Sequence, residues 1–154
     1  MKFYTCFILT LIALNPLQKS MAQKNSKESA AVLNHIAVYV ADLNIATDFY
    51  KNVFNLPQIP EPFHDNKHTW FSLGNAGQLH LIQGARFKET FDKNSHLCFS
   101  VVSIEDFMSI LRTKSIDFEN WAGAKGEVTL RVDGVKQIYF KDPDGHWLEV
   151  NNAR

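Results

Sequence analysis

The sequence has few cysteines and no excess of charge of either sign. Two of its 154 residues are cysteines, Cys6 and Cys98, which excludes a small secreted protein held together by a disulfide framework. The 16 basic and 16 acidic residues balance, and they form neither a basic stripe for nucleic acid nor a like-charge block typical of a disordered tail. The length and composition predict one soluble globular domain with its own core, and no nucleic-acid partner.

The chain also lacks an apolar run long enough for a membrane anchor. The mostly apolar segment Phe3 to Leu14 is shorter than the roughly 20 residues that span a bilayer. Asn15-Pro16 interrupts it, and Ser20-Met21-Ala22 supplies small residues at the −3 and −1 positions of a cleavage site. This pattern is typical of a secretory signal peptide. We therefore expect residues 1–22 to be removed and the protein to be exported, to a periplasm or outside the cell, with no membrane contact afterwards.

Removal of residues 1–22 leaves a slightly acidic chain with a single cysteine. It takes away Lys2 and Lys19, so 14 basic and 16 acidic residues remain. The stability of an exported chain without an internal disulfide must come from core packing or from a bound metal. We expect residues 23–31 to be a flexible lead-in and residues 32–154 to form one domain.

The first half of this domain predicts a strand, a helix and a hairpin. The segment LNHIAVYV (33–40) alternates like a strand, and Asp42 can cap the helix that follows. The segments KHTWFSL (67–73) and GQLHLIQ (77–83) are joined through a turn rich in glycine. The expected apolar face of the helix consists of Ile45, Phe49, Tyr50 and Phe54.

The second half repeats this order. SHLCFSVV (95–102) predicts a strand, and Ser103 begins a helix. The segments IDFENWA, EVTLRV and KQIYFKD are short strand candidates, DPDG (142–145) predicts a turn, and HWLEV (146–150) predicts the last strand. The expected apolar face of the second helix consists of Phe107, Ile110 and Leu111.

The two halves also agree in register. His35 precedes the cap residue Asp42 by seven positions, and His96 precedes Ser103 by seven. Each half ends in an apolar strand with one polar, metal-competent residue, which is His80 in the first half and Glu149 in the second. This indicates an internal duplication, with module one at 33–83 and module two at 95–152. The predicted fold class is α+β, with two βαβββ modules.

Strand alternation predicts where these polar side chains point. Successive residues of a strand face opposite sides, so each polar residue lies on the face opposite the helices. Three imidazoles and one carboxylate suit one divalent ion such as Zn, Ni, Co or Fe, and such a set leaves room for water or substrate. The candidate metal ligands are His35, His80, His96 and Glu149.

The sequence resembles the vicinal oxygen chelate superfamily, which comprises the glyoxalase, bleomycin-resistance and dioxygenase fold. The resemblance runs from Leu33 to Asn152 and is carried by LNHIAVYVADLNIATDFYKNVFNL, GQLHLIQ, SHLCFSV and YFKDPDGHWLEV. It implies that the two βαβββ modules form a curved mixed-sheet trough around a metal. It also implies that the ligands occupy the positions matching the four residues above.

Within this family, the resemblance favours a glyoxalase-like lyase or isomerase. Its members bind small substrates whose oxygens chelate the metal, which stabilises an enolate or oxyanion. The glyoxalase I type keeps four protein ligands and uses a carboxylate as general base, a role that falls here to Glu149. Bacterial members of that type usually have glutamate where this chain has His80, so the resemblance leaves open whether His80 is a ligand or a base.

Two other activities of the family match part of the pattern. Fosfomycin-type thiol transferases use positions matching His35, His96 and Glu149, but they usually carry threonine where this chain has Ala37. Extradiol dioxygenases use the same triad with iron and a catalytic tyrosine ten residues before the glutamate, which corresponds to Tyr139.

A drug-binding resistance protein without enzymatic activity is a further alternative. In that case aromatic side chains would line a binding pocket and the metal ligands would be dispensable. The candidates are Trp70, Phe71, Trp121 and Trp147.

Other features allow narrower expectations. We expect a homodimer whose metal sites bridge two chains, because small members of the glyoxalase and fosfomycin types commonly exchange modules. For Cys98 we favour a small buried side chain over a neighbour of the metal. We expect His64 and His68 to be surface residues, and His146 to support the DPDG turn.

Overall fold

The structure is a computed structural model that describes residues 31–86 and 90–153. The predicted signal peptide and almost all of the predicted lead-in lie outside these residues. Within the described ranges, no helix combines the length and the apolar character that a membrane crossing requires.

The first module is a four-stranded sheet with one helix. Its strands run in the order β1-β4-β3-β2, with β1 parallel to β4 and β3 antiparallel to both of its neighbours. Gly77 permits β4 to start directly beside β1, because a Cβ atom at this position would collide with the carbonyl of Asn34. The elements are β1 (His35–Val40), α1 (Leu43–Phe54), β2 (Gln58–Ile59), β3 (His68–Ser72) and β4 (Gln78–Gln83), with a 3₁₀ turn at Gly74–Ala76.

The second module repeats this topology. Its sheet has the order β5-β8-β7-β6, with β5 parallel to β8 and β7 antiparallel to both of its neighbours. The predicted pair of βαβββ modules is therefore confirmed. The elements are β5 (His96–Ser100), α2 (Ile104–Thr113), β6 (Thr129–Leu130), β7 (Lys136–Lys141) and β8 (Trp147–Asn151).

Both helices begin at the predicted caps. The Asp42 side chain accepts hydrogen bonds from the amides of Asn44 and Ile45, and the Ser103 hydroxyl accepts one from the amide of Asp106. These caps fix the point at which each chain segment leaves the edge strand of its sheet.

The predicted helix faces are partly wrong. Ile45 is 57% exposed and Ile110 is 40% exposed. On α1 the buried stripe is shifted around the helix and follows the three- and four-residue spacing of Leu43, Ala46, Tyr50 and Val53. The prediction failed because an apolar residue beside the stripe looks the same in sequence as one within it.

Two of the predicted strands in the second module are also wrong or shortened. The segment IDFENWA forms a loop in which Glu119 makes isolated bridges to Lys125 and Tyr139. Glu119 is followed by a turn in which the Asn120 side chain accepts a hydrogen bond from the amide of Ala124, so this segment does not continue as a strand. Of EVTLRV, only Thr129–Leu130 pairs as a strand.

The DPDG turn of the second module is hydrogen-bonded to the first module. The amide of Ala41, at the end of β1, donates to Asp144 Oδ1 at 2.8 Å, and the Tyr50 hydroxyl of α1 donates to Asp142 Oδ2 at 3.0 Å. His146 supports the turn as predicted, because its backbone amide and Nδ1 both contact the Asp142 carboxylate. Buried apolar residues from both modules then form one core between the helices and sheets.

Candidate metal centre

In each sheet, the polar residue of the last strand lies on the face opposite the core. Leu79 and Leu81 of β4 are fully buried in the core, so the intervening His80 points to the other side. Leu148 and Val150 likewise bury the core side of β8, and Glu149 points away from it. We call this the ligand face of each sheet.

On the second sheet, His96 and Glu149 form a close pair. His96 Nε2 lies 3.3 Å from Glu149 Oε2, and its Nδ1 lies 2.6 Å from the carbonyl oxygen of Lys93. Because a carbonyl can only accept, Nδ1 carries a proton, and the lone pair of a neutral ring is then on Nε2. A lone pair that faces a carboxylate is repelled unless a proton or a cation lies between them. The pair therefore fits a divalent ion.

Three donors hold the carboxylate of Glu149. The Tyr139 hydroxyl donates to Oε2 at 2.6 Å, and Asn151 Nδ2 and Cys98 Sγ donate to Oε1 at 2.8 and 3.3 Å. Burial by itself raises the pKa of Glu149. The three donors and nearby His96 outweigh burial, so the net pKa lies below its ordinary value. Glu149 is thus kept as an oriented anion, which suits a metal ligand.

Tyr139 and Cys98 keep their protons in this network. Burial and the neighbouring Glu149 raise the pKa of Tyr139 well above its ordinary value. Although Cys98 as a residue is exposed, partial removal of water from its sulfur atom and the nearby Glu149 raise the pKa of its thiol to about 12. Gln137 Nε2 donates to the Tyr139 hydroxyl at 2.6 Å and fixes its direction. The favoured prediction for Cys98 is wrong, because this side chain is exposed and bound to Glu149 rather than buried in the core.

On the first sheet, ring stacking replaces this hydrogen-bond network. The rings of His35 and His80 are 4.2 Å apart and inclined by 9°, and those of Trp70 and His80 are 3.9 Å apart and inclined by 1°. His80 is sandwiched between the two rings, because both cannot occupy the same side of it. His80 Nε2 also lies 2.8 Å from Gln78 Oε1. We call His35, His80 and Trp70 the ring stack.

The ring stack limits how its imidazoles could bind an ion. A metal lies close to the plane of the imidazole that binds it, and the planes of His35 and His80 are nearly parallel and separated. One ion cannot lie in both planes, so only one imidazole of the pair can bind a given ion in this arrangement. Burial, followed by the charges of His35 and His68, lowers the pKa of His80, which favours its neutral form.

The structure does not bring the four predicted ligands together. Among the described residues, no three of them have ligand atoms within 4.8 Å of one another. The group that meets this distance consists of Glu61, Asp65 and His68 in the loop between β2 and β3, which makes this loop a candidate metal site. The four candidate ligands therefore lie in two separate groups, which we call the candidate half-sites: the ring stack on the first sheet, and the pair His96 and Glu149 on the second.

Two clefts provide space for a small molecule beside the second half-site. One has a volume of about 310 Å³ and lies between β1 and β5, where Tyr39, His96 and Trp147 line it. The other has a volume of about 480 Å³ and reaches Tyr139 and Glu119. Both volumes are in or near the range of ordinary small-ligand pockets.

Comparison with known proteins identifies the family. Residues 32–150 match the sequence profile of the Glyoxalase/Bleomycin resistance protein/Dioxygenase superfamily. The chain belongs to this superfamily. The predicted resemblance and fold class are thereby confirmed, including the curved trough that the two sheets form.

Relatives in the superfamily include a metallothiol transferase and a fosfomycin resistance protein. The chain is 31% identical over 122 residues to the metallothiol transferase FosB of Shouchella clausii, covering 79% of this chain and 80% of that protein. It is 31% identical over 124 residues to the fosfomycin resistance protein FosX of Listeria monocytogenes, covering 77% and 87%. The solved structure of the oxidase ChaP-H2 is similar in fold, with a TM-score of 0.65 at 23% identity over 81% of this chain and 95% of that one.

Members of the superfamily are mostly metal-dependent enzymes that act on small molecules, and they are often dimeric. Sequence reasoning located the strands of the half-sites but missed Asn151 and Gln78, and it named Trp70 only as an aromatic residue that could line a binding pocket. Asn151 was within reach, because it lies two residues after Glu149 and therefore on the same face. The stacking of Trp70 on His80 depends on the register of β3, which the sequence did not fix.

Proposed function

We propose that the protein is a divalent-metal-dependent enzyme that acts on a small substrate with adjacent oxygens. His96 and Glu149 hold the ion, and His35 supplies a further imidazole. The observation that carries the proposal is the contact of 3.3 Å between His96 Nε2 and Oε2 of Glu149, a carboxylate that Tyr139 holds by a hydrogen bond. When bound, the ion supplies Lewis-acid polarisation of the substrate oxygens.

The residues around this centre support a lyase or isomerase that moves a proton. Glu149 and His80 are the two groups that can accept it. Oε1 of Glu149 already accepts two hydrogen bonds, whereas Oε2 accepts one from Tyr139, so a proton would be taken up at the remaining lone pair of Oε2. His80 is neutral, and its Nδ1 is free to accept when Nε2–H donates to Gln78. Tyr139 and Asn151 act as positioning residues that keep Glu149 in place.

Metal analysis followed by a substrate screen tests this function. We expect about one ion at the proposed centre of each wild-type chain, and its loss in the double variant His35→Ala/His96→Ala. Turnover of α-ketoaldehyde–thiol adducts, with loss of activity in the same variant, would support the lyase proposal. Equal turnover by wild type and the double variant would contradict it.

A fosfomycin-type thiol transferase is the second candidate. The ring stack favours it, because a stack that offers one imidazole leaves a set of three ligands rather than four. The identity to FosB and FosX supports the same alternative. Ala37 weighs against it, because it lacks the hydroxyl usual in such transferases. Fosfomycin with a thiol, and catechols for the dioxygenase alternative, therefore belong in the same screen.

We also propose that a second copy of the chain completes each centre. One chain holds its two half-sites apart, and the exchange of modules between two chains would join His35 and His80 of one copy to His96 and Glu149 of the other. A mixture of the variants His35→Ala/His80→Ala and His96→Ala/Glu149→Ala tests this. Each variant alone should be inactive, whereas the mixed dimer should regain one complete centre. Exchanged dimers that remain inactive and metal-free would contradict shared centres.

Export remains a proposal of its own. The signal-peptide pattern predicts a mature protein that begins at Gln23. Intact-mass measurement of the exported fraction should find this N-terminus. An unprocessed chain retained in the cytosol would contradict it.

A further inference from the structure

The loop between β2 and β3 gathers ligand-type side chains outside the two half-sites. Within eight residues of sequence, Glu61, Asp65 and His68 place one ligand atom each within 4.8 Å of the others. Their side chains are 16%, 39% and 19% exposed, so the group is only partly covered. An ion could therefore reach it from solvent.

Backbone amides hold both carboxylates in position. The two oxygens of Glu61 accept from the amides of Phe63 at 2.7 Å and His64 at 2.9 Å. Asp65 Oδ1 accepts from the amide of Lys67 at 2.9 Å and lies 2.9 Å from His68 Nδ1. Each carboxylate oxygen has two lone pairs, so these bonds leave acceptor capacity for a cation.

The chemistry of the group selects a borderline cation. Two carboxylates and one imidazole carry a net charge of −2 when the imidazole is neutral, which favours a dication. A nitrogen donor beside carboxylate oxygens suits zinc and its first-row neighbours better than calcium or magnesium. A fourth donor of the same kind is near, because His64 Nδ1 lies 3.9 Å from Glu61 Oε1.

We propose that Glu61, Asp65 and His68 form a second divalent-cation site, separate from the centre at His96 and Glu149. The site lies next to the ring stack, because the Phe63 ring packs 4.6 Å from His68 and 6.0 Å from Trp70. A bound ion would join the two ends of the loop and hold Phe63 against Trp70. Its role is to order the loop beside the first half-site.

Zinc titration of the full chain tests the site. The protein is stripped with a chelator and titrated with Zn²⁺ by calorimetry, as wild type and as the variant Glu61→Gln/His68→Asn. We expect the variant to bind one fewer Zn²⁺ per chain, or to bind that ion roughly tenfold or more weakly, since even the loss of a supporting group costs a metal site that much. The matched control is Lys67→Gln, which changes an exposed charge in the same loop and should leave the titration unchanged.

A second pair of variants keeps the test independent of folding and of the other centre. In the background His96→Ala/Glu149→Ala, the loop site should still bind zinc, and adding Asp65→Asn/His68→Gln should remove that binding. Circular dichroism identifies any variant that fails to fold. If one of the two loop variants does not fold, the zinc binding of the other loop variant tests the site. The proposal would be overturned if the folded loop variants bound as much zinc as their parents, in the wild-type background and in His96→Ala/Glu149→Ala. The loop would then be an ordinary solvated cluster of carboxylates.

Discussion

The two modules share one topology, yet they hold their central polar residue in different ways. In the second module, Glu149 pairs with Cys98 on one side and Tyr139 on the other, and both of these side chains donate hydrogen bonds to it. In the first module, the residues paired with His80 are Ala37 and Trp70. Ala37 donates nothing from its side chain, and Trp70 offers a ring face.

The difference shows that duplication fixes where a residue lies, whereas the flanking strands decide what it can do. Donors on both sides turn a buried carboxylate into an oriented anion. An aromatic face and a small side chain leave a neutral imidazole that is held by ring stacking and by one hydrogen bond to Gln78. The second module therefore presents an oriented anion, and the first holds a ring in a fixed plane.

The largest effect should come from removing the charge at the centre of the second module. We expect Glu149→Gln to lower activity by about 10²–10⁴-fold, because glutamine neither carries the negative charge nor accepts a proton. Steady-state assays and metal analysis of the same sample check this. Comparable activity in a metal-replete variant would show that the carboxylate serves in neither way.

Loss of the strongest donor to that carboxylate should have the next largest effect. Tyr139→Phe removes the 2.6 Å hydrogen bond, and hydrogen bonds to charged groups contribute about 1.5–3 kcal/mol, so metal affinity should fall by roughly tenfold to a hundredfold. The pKa of Glu149 is lowered in the folded chain, so its contribution to stability is present above its ordinary pKa and is lost as the pH falls. The melting temperature of the variant should therefore fall less than that of the wild type as the pH is lowered.

The first module should show a different pH response. The folded pKa of His80 lies below the ordinary value of 6.5, so the unfolded chain binds the proton more readily. Stability from the neutral ring is present above pH 6.5 and declines as the pH falls through that value. Thermal melts between pH 8 and pH 5 should show this decline in wild type and a weaker one in His80→Gln. Identical slopes would mean that His80 titrates normally.

The smallest effect should come from Cys98. Replacement by serine keeps a donor to Glu149, and Asn151 still binds the same oxygen, so we expect a change in stability or metal affinity of less than about 1 kcal/mol. Because the pKa of the thiol is about 12, alkylation at pH 8 should be slow although the residue is exposed. Rapid labelling by iodoacetamide would show that the thiol is not held by Glu149.

Much of this arrangement was predictable because it depends on alternation within single strands. The positions of His80 and Glu149 opposite buried aliphatic residues followed from the period of two, and the caps at Asp42 and Ser103 followed from local chemistry. The contacts between side chains within each half-site could not be predicted from alternation. Whether Trp70 stacks on His80 depends on which residues of neighbouring strands face each other, a register set by long-range packing.

For the loop between β2 and β3, the sequence predicted only that His64 and His68 are surface residues. The approach of His68 to Asp65 and Glu61 depends on a backbone that visits the left-handed region at His64 and Asn66. Composition does not specify such a path. Local propensity likewise missed the loop at IDFENWA, where side-chain contacts of Asn120 prevail over a strand-like sequence.

The turn between β7 and β8 has a consequence for how the chain folds. Its carboxylates bind Ala41 and Tyr50 across sequence separations of 103 and 92 residues. If the first half were produced alone, it would expose the core face of α1 and leave the Tyr50 hydroxyl without its acceptor. We therefore expect the two halves to unfold in one cooperative transition, and these long-range contacts to make folding slow for a chain of this size.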